Sequence, residues 1–143
     1  MKRKVKSVFY TFKKEETFIL LGHRKSGADQ FWWIPGGSIE GNEAPFEALL
    51  RELKEEINTG YLFQERLKQV ALNPEKAKSV AYTSETTSYH VYFIELPVEV
   101  LEEPIEVVEE FTEAKWFPVK GIPANMSREY QFIAEEVEAL SKP

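Results

Sequence analysis

The chain contains no cysteine among its 143 residues. This absence excludes disulfides, a thiol nucleophile and any zinc site built on cysteine. The sequence also lacks an apolar run near the ~20 residues that a membrane-spanning helix needs. Its basic N-terminal segment is a poor signal peptide, because Lys6, Ser7, Lys13 and Lys14 interrupt the apolar stretch. We therefore expect a cytoplasmic protein with no membrane partner.

Positive charge is also in short supply. Eighteen lysines and arginines stand against 24 acidic residues, which gives a formal net charge of −6. Because binding to nucleic-acid backbones usually needs a basic face, we do not expect nucleic acid as a partner. An anionic substrate would need a local positive site instead, and a bound metal ion would provide one. The length and the 43% hydrophobic content fit a single domain over residues 1–143.

One stretch, residues 35–60, carries the chemistry: PGGSIEGNEAPFEALLRELKEEINTG. It opens with two glycines and continues as an amphipathic helix that we predict to end near Ile57. Asn42 is the predicted N-cap, and Pro45 fits because it lies in the first helical turn. Apolar residues at helical spacing predict a stripe that faces the core: Phe46, Leu49, Leu50, Leu53 and Ile57.

Three carboxylates lie on another face of this helix. Glu52, Glu55 and Glu56 are three and four residues apart, so they fall within about 100° of one another around the helix axis. Carboxylates this close raise one another's pKa, and a hard divalent cation would relieve that repulsion because it takes oxygen ligands. Taken alone, the six residues from Arg51 to Glu56 are better explained as a solvated helix face. The glycine turn and Glu43 in register favour a site.

The spacing of these residues resembles the Nudix box over residues 37–59. The matching positions, in order, are Gly37, Glu43, Arg51, Glu52, Leu53, Glu55 and Glu56. Chance occurrence of this pattern is on the order of one in several million per start position at average composition. Asn58 stands where the family has glycine, and Thr59 where it has an aliphatic residue. Because asparagine is the usual second choice for a left-handed helix exit, we expect Asn58 to take that conformation.

The resemblance implies both a fold and a chemistry. The fold would be an α/β/α sandwich of the α+β class, with a central mixed β-sheet and two main helices. The activity would be hydrolysis of the pyrophosphate bond in a nucleoside diphosphate linked to another moiety, a class that includes dNTPs, ADP-ribose and nucleotide sugars. The cofactor would be Mg²⁺ or Mn²⁺, and the partner a nucleotide-type small molecule.

The resemblance also implies residue roles. The metal ligands would be Glu52, Glu55, Glu56 and the backbone carbonyl of Gly36. The catalytic residues would be Arg51, Glu52, Glu55 and Glu56. Arg51 would orient the glutamates through its fixed charge, and Glu55 or a distal glutamate could accept a proton. We expect Glu40 and Glu43 to support the loop.

Four residues are predicted to contact substrate: Arg24, Trp33, Gly36 and Gly37. The glycines allow close approach of backbone N–H groups to an anion. The family often has an arginine where Arg24 stands, although a surface cation is the alternative. Adjacent strand residues point to opposite faces, so one of Trp32 and Trp33 should pack inward and the other should face a cleft or solvent. An exposed indole beside a phosphate site could stack on a nucleobase, and packing in the core or at an interface is the alternative.

A further glutamate is expected beyond the box. Members of the family often recruit one just before an aromatic strand, as a metal ligand or base, and Trp116-Phe117 matches that strand. The candidates are Glu109, Glu110 and Glu113. A solvated acidic connection is the alternative, since residues 95–113 contain eight glutamates.

The remaining segments predict several strands and one more helix. Residues 5–12 and 17–23 predict a hairpin. Further strands are predicted at residues 31–34, 61–72, 89–96 and 116–119, the third of them central. Apolar residues at intervals of three or four predict a final helix on the sheet: Met126, Tyr130, Ile133, Val137 and Leu140. We expect four basic side chains to be solvated, with a phosphate-facing role as the alternative for any of them: Lys2, Arg3, Lys4 and Lys6.

Three other functions remain open. The first is removal of a 5′ pyrophosphate from RNA, against which the acidic net charge counts. The second is a non-catalytic nucleotide-binding sensor, which would usually have lost the box carboxylates that are intact here. The third is a structural protein with an incidental box. An exposed Trp32 or Trp33 would favour a homodimer.

Overall fold

The computed structural model of the protein describes residues 1–26, 29–108 and 111–140. Its first two strands form the predicted hairpin: β1 (Lys2–Lys13) and β2 (Glu16–Ser26) pair antiparallel, with Lys13 opposite Glu16. The turn uses Lys14, whose φ of 57° is the only positive value at a non-glycine position in the described part of the chain.

The chain then alternates between strands and helices. The further elements are β3 (Asp29–Trp33), β4 (Gly36–Ser38), α1 (Pro45–Glu56), β5 (Ile57–Asn58), α2 (Tyr61–Leu72), β6 (Lys78–Thr83), β7 (Thr87–Glu95), β8 (Glu106–Val107), β9 (Phe111–Pro118) and α3 (Arg128–Ala139). Short 3₁₀ turns occupy Pro74–Lys76, Val98–Glu102 and Val119–Gly121. No helix among the described residues is long and apolar enough to cross a membrane.

Seven strands form one mixed sheet. Its main path runs β3–β2–β1–β7–β6, while β4 pairs with β1 and β9 pairs with β2. β7 is parallel to β1, and the other pairs in this sheet are antiparallel. The predicted central position of β7 is confirmed. β5 and β8 form a separate two-stranded pair beside the end of α1.

Helices cover both faces of the sheet. On one face α1 and α2 bury Leu49 and Phe63 against Phe9 of β1. On the other face α3 buries Ile133 and Val137 against neighbours that include Trp32. Alternate residues of β1 feed these two cores, as the period of a strand requires. The predicted α/β/α sandwich is therefore confirmed, with three helices rather than two.

The strand predicted over residues 61–72 is wrong, because this segment is the helix α2. Its buried residues Phe63, Leu67 and Val70 are four and three apart, which is the helical period. The strand β6 was not predicted. It lies at the edge of the sheet and alternates half-buried Val80 and Tyr82 with exposed neighbours.

Two details at the ends of α1 also differ from expectation. The N-cap is Ala44 rather than Asn42, and the Ala44 N–H donates to Glu47 Oε1 at 3.1 Å. At the other end the chain leaves the helix in an extended conformation, with φ −142° at Ile57. Asn58 therefore belongs to β5, opposite Glu106, and the expected left-handed exit is wrong.

Candidate active site

The glycine turn is held in place by hydrogen bonds to β1. The Pro35 carbonyl accepts hydrogen bonds from the Ser7 N–H at 2.8 Å and the Ser7 hydroxyl at 3.1 Å. The next residue, Gly36, lies opposite Lys6 in the β1–β4 register and has a φ of 145°. A side chain on Gly36 would run into the Val5 carbonyl oxygen and would place its Cβ 2.8 Å from the Lys6 Cα. Only glycine fits this position without strain.

Glu56 joins this turn to the end of α1. Its Oε1 accepts a hydrogen bond from the Gly36 N–H at 3.1 Å, and its side chain is only 6% exposed. Burial raises the pKa of this carboxyl to about 8, against the opposing attraction of Lys6. Burial likewise raises the pKa of Glu52, which Arg51 partly offsets. Both carboxylates would gain from a cation that replaces lost solvation.

Arg51 ties the carboxylates to the loop. Its Nε and Nη2 donate to the two oxygens of Glu43 at 2.8 and 3.0 Å, and Nη2 also donates to the Ser38 carbonyl at 2.9 Å. Its Nη1 donates to Glu52 Oε1 at 3.1 Å and lies 3.6 Å from Glu55 Oε1. Such a bidentate, charge-assisted pair fixes geometry as well as charge. The guanidinium is thus held where it can orient two of the three box glutamates.

The two loop glutamates differ in how firmly they are held. The hydrogen bonds from Arg51 lower the pKa of Glu43 to about 2, so this carboxylate stays ionised. Glu43 Oε1 also accepts the Glu40 N–H at 2.9 Å, which closes the loop before α1. The Glu40 carboxylate is exposed and lies 3.9 Å from Arg51 Nη2. This arrangement agrees with a supporting role for both residues.

Most of the predicted site residues line one cavity of about 260 Å³. Glu52, Glu55 and Glu56 line it from α1, and Gly36 and Gly37 line it from the turn. Glu55 is the most accessible of the three glutamates, with 60% of its side chain exposed. The strands add cations and an aromatic ring to the lining: Lys4, Lys6, Arg24 and Trp33. A pocket that contains both carboxylates and cations suits a metal ion bound together with an anionic ligand.

The expectation that Lys6 is solvated is wrong. Its side chain is 1% exposed, and its ammonium lies 4.1 Å from the Trp33 ring centroid and 3.8 Å from Glu129 Oε1. Lys4 is half-buried in the same cavity, whereas Lys2 and Arg3 are exposed as expected. Lys4 and Lys6 both line the cavity, although a solvated position was expected for each of them. The alternation of Lys4, Val5 and Lys6 inside a strand was the available signal, since it places both lysines on one face.

The prediction for the tryptophan pair is confirmed. Trp32 packs in the core on the α3 side, in edge contact with Phe117 at 4.7 Å between ring centroids. Trp33 points the other way and lines the cavity, where the Arg24 guanidinium lies 4.9 Å from its ring centroid. Such a cation over an indole is a favourable contact. Arg24 and Trp33 therefore line the same cavity, and their contact with a substrate stays a prediction.

A second cavity of about 730 Å³ adjoins the first. The two share Lys4, Arg24 and Trp33 as lining residues. Its other walls come from the strands and from the start of α3 and include Phe31, Tyr89, Asn125 and Glu129. Its size and its mixture of aromatic and polar groups suit an organic group attached to the ligand of the first cavity.

Of the three candidate glutamates beyond the box, only Glu113 lies in the described part of the chain. Glu113 lies exposed on β9, opposite His23, and is not among the described residues that line either cavity. Glu109 and Glu110 lie outside the described residues. Val108 and Phe111 line the smaller cavity.

The donors present fit a hard divalent cation by their chemistry. The buried carboxylate of Glu56, the half-buried carboxylate of Glu52 and the carbonyl of a glycine turn are oxygen ligands of the kind that Mg²⁺ prefers. The space in front of Glu52 is kept open by Gly37, because a Cβ there would lie 2.5 and 2.6 Å from the two carboxylate oxygens. No three acidic or histidine side chains in residues 1–26, 29–108 and 111–140 already form a closed metal cluster. Binding of a metal ion would therefore bring the carboxylates of Glu52 and Glu56 closer together.

The raised pKa of Glu56 leads to a testable pH dependence of stability. The folded, metal-free protein holds this proton between the usual carboxyl pKa of 4.5 and about 8, where the unfolded chain has lost it. Because the folded state binds more protons in this window, its unfolding free energy should fall as pH rises through it. Urea unfolding in EDTA from pH 5 to 8.5 measures this slope. Glu56→Gln should flatten it, and an equal slope in that variant would contradict the assignment.

One family model and several known proteins are similar to this chain in sequence. The family model described as NUDIX domain matches residues 1–136. An RNA pyrophosphohydrolase of a Nitratiruptor species is 32% identical, over 77% of this chain and 71% of that protein. An 8-oxo-dGTP diphosphatase of Proteus vulgaris is 51% identical over a shorter stretch, 32% of this chain and 40% of that protein.

Solved structures share the fold. A bifunctional NMN adenylyltransferase/ADP ribose pyrophosphatase of Francisella tularensis, complexed with AMP and Mn ion, matches with a TM-score of 0.68 at 22% identity. The match covers 96% of this chain and 41% of that protein, so this chain spans less than half of its length. Likeness at this identity concerns the fold alone.

Proposed function

The chain belongs to the Nudix family, and we propose that it is a metal-dependent hydrolase of the pyrophosphate bond in a nucleoside diphosphate linked to another moiety. The main support is that Glu52, Glu55 and Glu56 line one cavity with the glycine turn and with three cations, Lys4, Lys6 and Arg24. The adjoining cavity of about 730 Å³ would take the nucleoside or the group attached to it.

We assign each residue of the site a role from its position in the cavity. Glu52, Glu56 and the Gly36 carbonyl would hold Mg²⁺ or Mn²⁺, with Glu55 as a further ligand, directly or through water. When bound, the metal ion would neutralise phosphoryl charge and acidify a water molecule. Arg51 orients Glu52 and Glu55 through the contacts described above. Whichever carboxylate remains free, Glu55 or a distal glutamate, would accept the proton of the attacking water.

The substrate would be held by groups from the strands and from the glycine turn. Arg24 would meet a phosphate, and the backbone of Gly36 and Gly37 would approach the same anion closely. The indole of Trp33 borders both cavities and could stack on a base or pack against a ribose. Holding the reacting atoms in line is itself a large part of catalysis by such sites.

Removal of pyrophosphate from the 5′ end of RNA is the second candidate. The Nitratiruptor relative is named for that activity. The acidic net charge counts against a broad RNA-binding surface, but three cations gathered at one cavity would suit a polyphosphate end. The two candidates differ in one respect: an RNA pyrophosphohydrolase should bind a 5′-triphosphate RNA more tightly than a single nucleotide, whereas a hydrolase of small nucleotides should not.

A substrate panel separates these functions. The wild-type protein would be assayed with dNTPs, ADP-ribose, nucleotide sugars, dinucleoside polyphosphates and 5′-triphosphate RNA, with Mg²⁺ or Mn²⁺ and with EDTA. We expect metal-dependent release of nucleoside monophosphate or pyrophosphate from at least one small nucleotide. Preferred, salt-sensitive turnover of the RNA would select the second candidate. Binding without turnover of any compound would indicate a nucleotide sensor and contradict the proposal.

A further inference from the structure

Lys6 is a buried lysine at the centre of the proposed site whose role the mechanism above leaves open. Its Cα lies opposite Gly36 in the sheet, so the ammonium approaches the cavity from beneath the glycine turn. The carboxylate of Glu56 reaches the same turn from α1 and accepts the Gly36 N–H. Burial lowers the pKa of the Lys6 ammonium, and the attraction of Glu129, Glu56 and Glu52 opposes this effect and favours the charged form. A lysine and two metal-binding carboxylates therefore share one cavity.

Glu129, at the start of α3, is the nearest acid to Lys6. Its carboxylate lies 3.8 Å from the Lys6 ammonium and 4.0 Å from that of Lys4, and its side chain is largely buried. Both distances exceed those of a charge-assisted hydrogen bond, which are about 2.7–2.9 Å. Glu129 thus balances two lysines electrostatically without closing on either of them, and it also lines the adjoining larger cavity.

The surroundings of Lys6 strengthen the interaction of its ammonium with nearby charges. The indole of Trp33 covers the ammonium at 4.1 Å from its ring centroid, and the side chain is 1% exposed. In such a poorly hydrated place a charge acts more strongly on its neighbours than it would in water. Lysine presents a compact point charge, which suits a single phosphate oxygen.

A metal ion bound by Glu52 and Glu56 would compete with Lys6 for the same negative charge. Two cations in one small cavity repel each other, and an anion that contacts both would remove that repulsion. Resting on the proposed function, we propose that Lys6 binds a phosphate oxygen of the substrate in exchange for Glu129, and thereby makes metal and diphosphate bind cooperatively.

The test is Mn²⁺ binding, followed by electron paramagnetic resonance, with and without α,β-methylene ADP. This diphosphate carries a carbon bridge and resists cleavage at that bond, and its own complex with Mn²⁺ is measured without protein and subtracted. Because coupling free energies between ligands usually correspond to about 5–150-fold, we expect the analogue to tighten Mn²⁺ binding at least about 10-fold in the wild type. In Lys6→Met the gain should fall below about 2-fold, while Mn²⁺ alone binds at least as tightly as before.

Lys2→Met is the matched control, since it removes the same charge from the same face of β1 outside the cavity. It should keep the wild-type gain. A Lys6→Met protein that keeps the full gain would overturn the proposal. A Lys6→Met protein that loses Mn²⁺ binding in the absence of the analogue, as we expect of Glu56→Gln, would also overturn it. Circular dichroism and the melting temperature check that each variant is folded.

Glu129→Gln tests the exchange without altering Lys6. If Glu129 competes with the phosphate, this variant should bind the analogue about 2–5-fold tighter, in line with the strength of a partly exposed ion pair. Unchanged or weaker binding would overturn the exchange, even if Lys6→Met proved unable to fold. Failure of the proposed function would appear differently, as a wild-type protein that binds no Mn²⁺ or cleaves nothing in the substrate panel.

Discussion

Replacing Glu56 with glutamine is expected to lower hydrolysis at least about 100-fold while the fold stays intact, because loss of groups that only support metal ligands already costs 10–100-fold. Glutamine has nearly the same shape and can still accept the Gly36 N–H. It cannot bring the negative charge that a metal ligand needs. Since burial raises the pKa of Glu56 to about 8, the neutral variant should also be at least as stable as the metal-free wild type near neutral pH.

Steady-state kinetics at saturating Mg²⁺ and urea unfolding measure the two halves of this expectation. The control is Glu135→Gln, which makes the same charge change at an exposed position of α3. That variant should keep wild-type turnover. Near-normal turnover by Glu56→Gln would rule out the proposed metal site, whatever its stability.

The second large effect concerns the two glycines of the turn, which should respond differently to alanine. At Gly36 a methyl group meets rigid backbone of β1, and the φ of 145° is one that alanine rarely adopts. We therefore expect Gly36→Ala to lower the unfolding free energy by at least about 3 kcal/mol. At Gly37 the methyl group meets only the flexible end of Glu52.

Gly37→Ala should accordingly cost little stability, about 1 kcal/mol or less, because a surface-facing change with a movable neighbour is usually small. It should still reduce turnover at least about 10-fold, since it displaces the Glu52 carboxylate, and misplacement by 1 Å can cost far more. Denaturant unfolding and kinetics on the pair provide the comparison. Equal loss of stability in both variants would show that the turn is not built as described.

Local patterns predicted the parts of this protein whose partners lie nearby in sequence. The end of the helix at Glu56 was predicted to within one residue, because its apolar stripe repeats over several turns, whereas its N-cap lies two residues after the predicted one. The opposite orientations of Trp32 and Trp33 followed from the strand period alone. The contacts of Arg51 with Glu43 and Glu52 agree with the orienting role inferred from the box spacing.

The parts that were missed depend on tertiary contacts. Lys6 looked solvated because no local pattern shows that α3 brings Glu129 and that β3 brings Trp33 over its ammonium. The segment Tyr61–Leu72 became a helix because Phe63 and its helical neighbours found a core on the sheet. Asn58 is extended because a distant strand, β8, pairs with it. Each of these outcomes was decided by a partner at least 25 residues away in the chain.

The most direct test of the account is a crystal structure of the protein grown with Mn²⁺, read through the anomalous scattering of the metal. We predict a peak in the smaller cavity, coordinated by Glu52, Glu56 and the Gly36 carbonyl. A peak elsewhere, with these three groups uncoordinated at saturating Mn²⁺, would contradict the central claim that the box helix and the glycine turn together form the metal site.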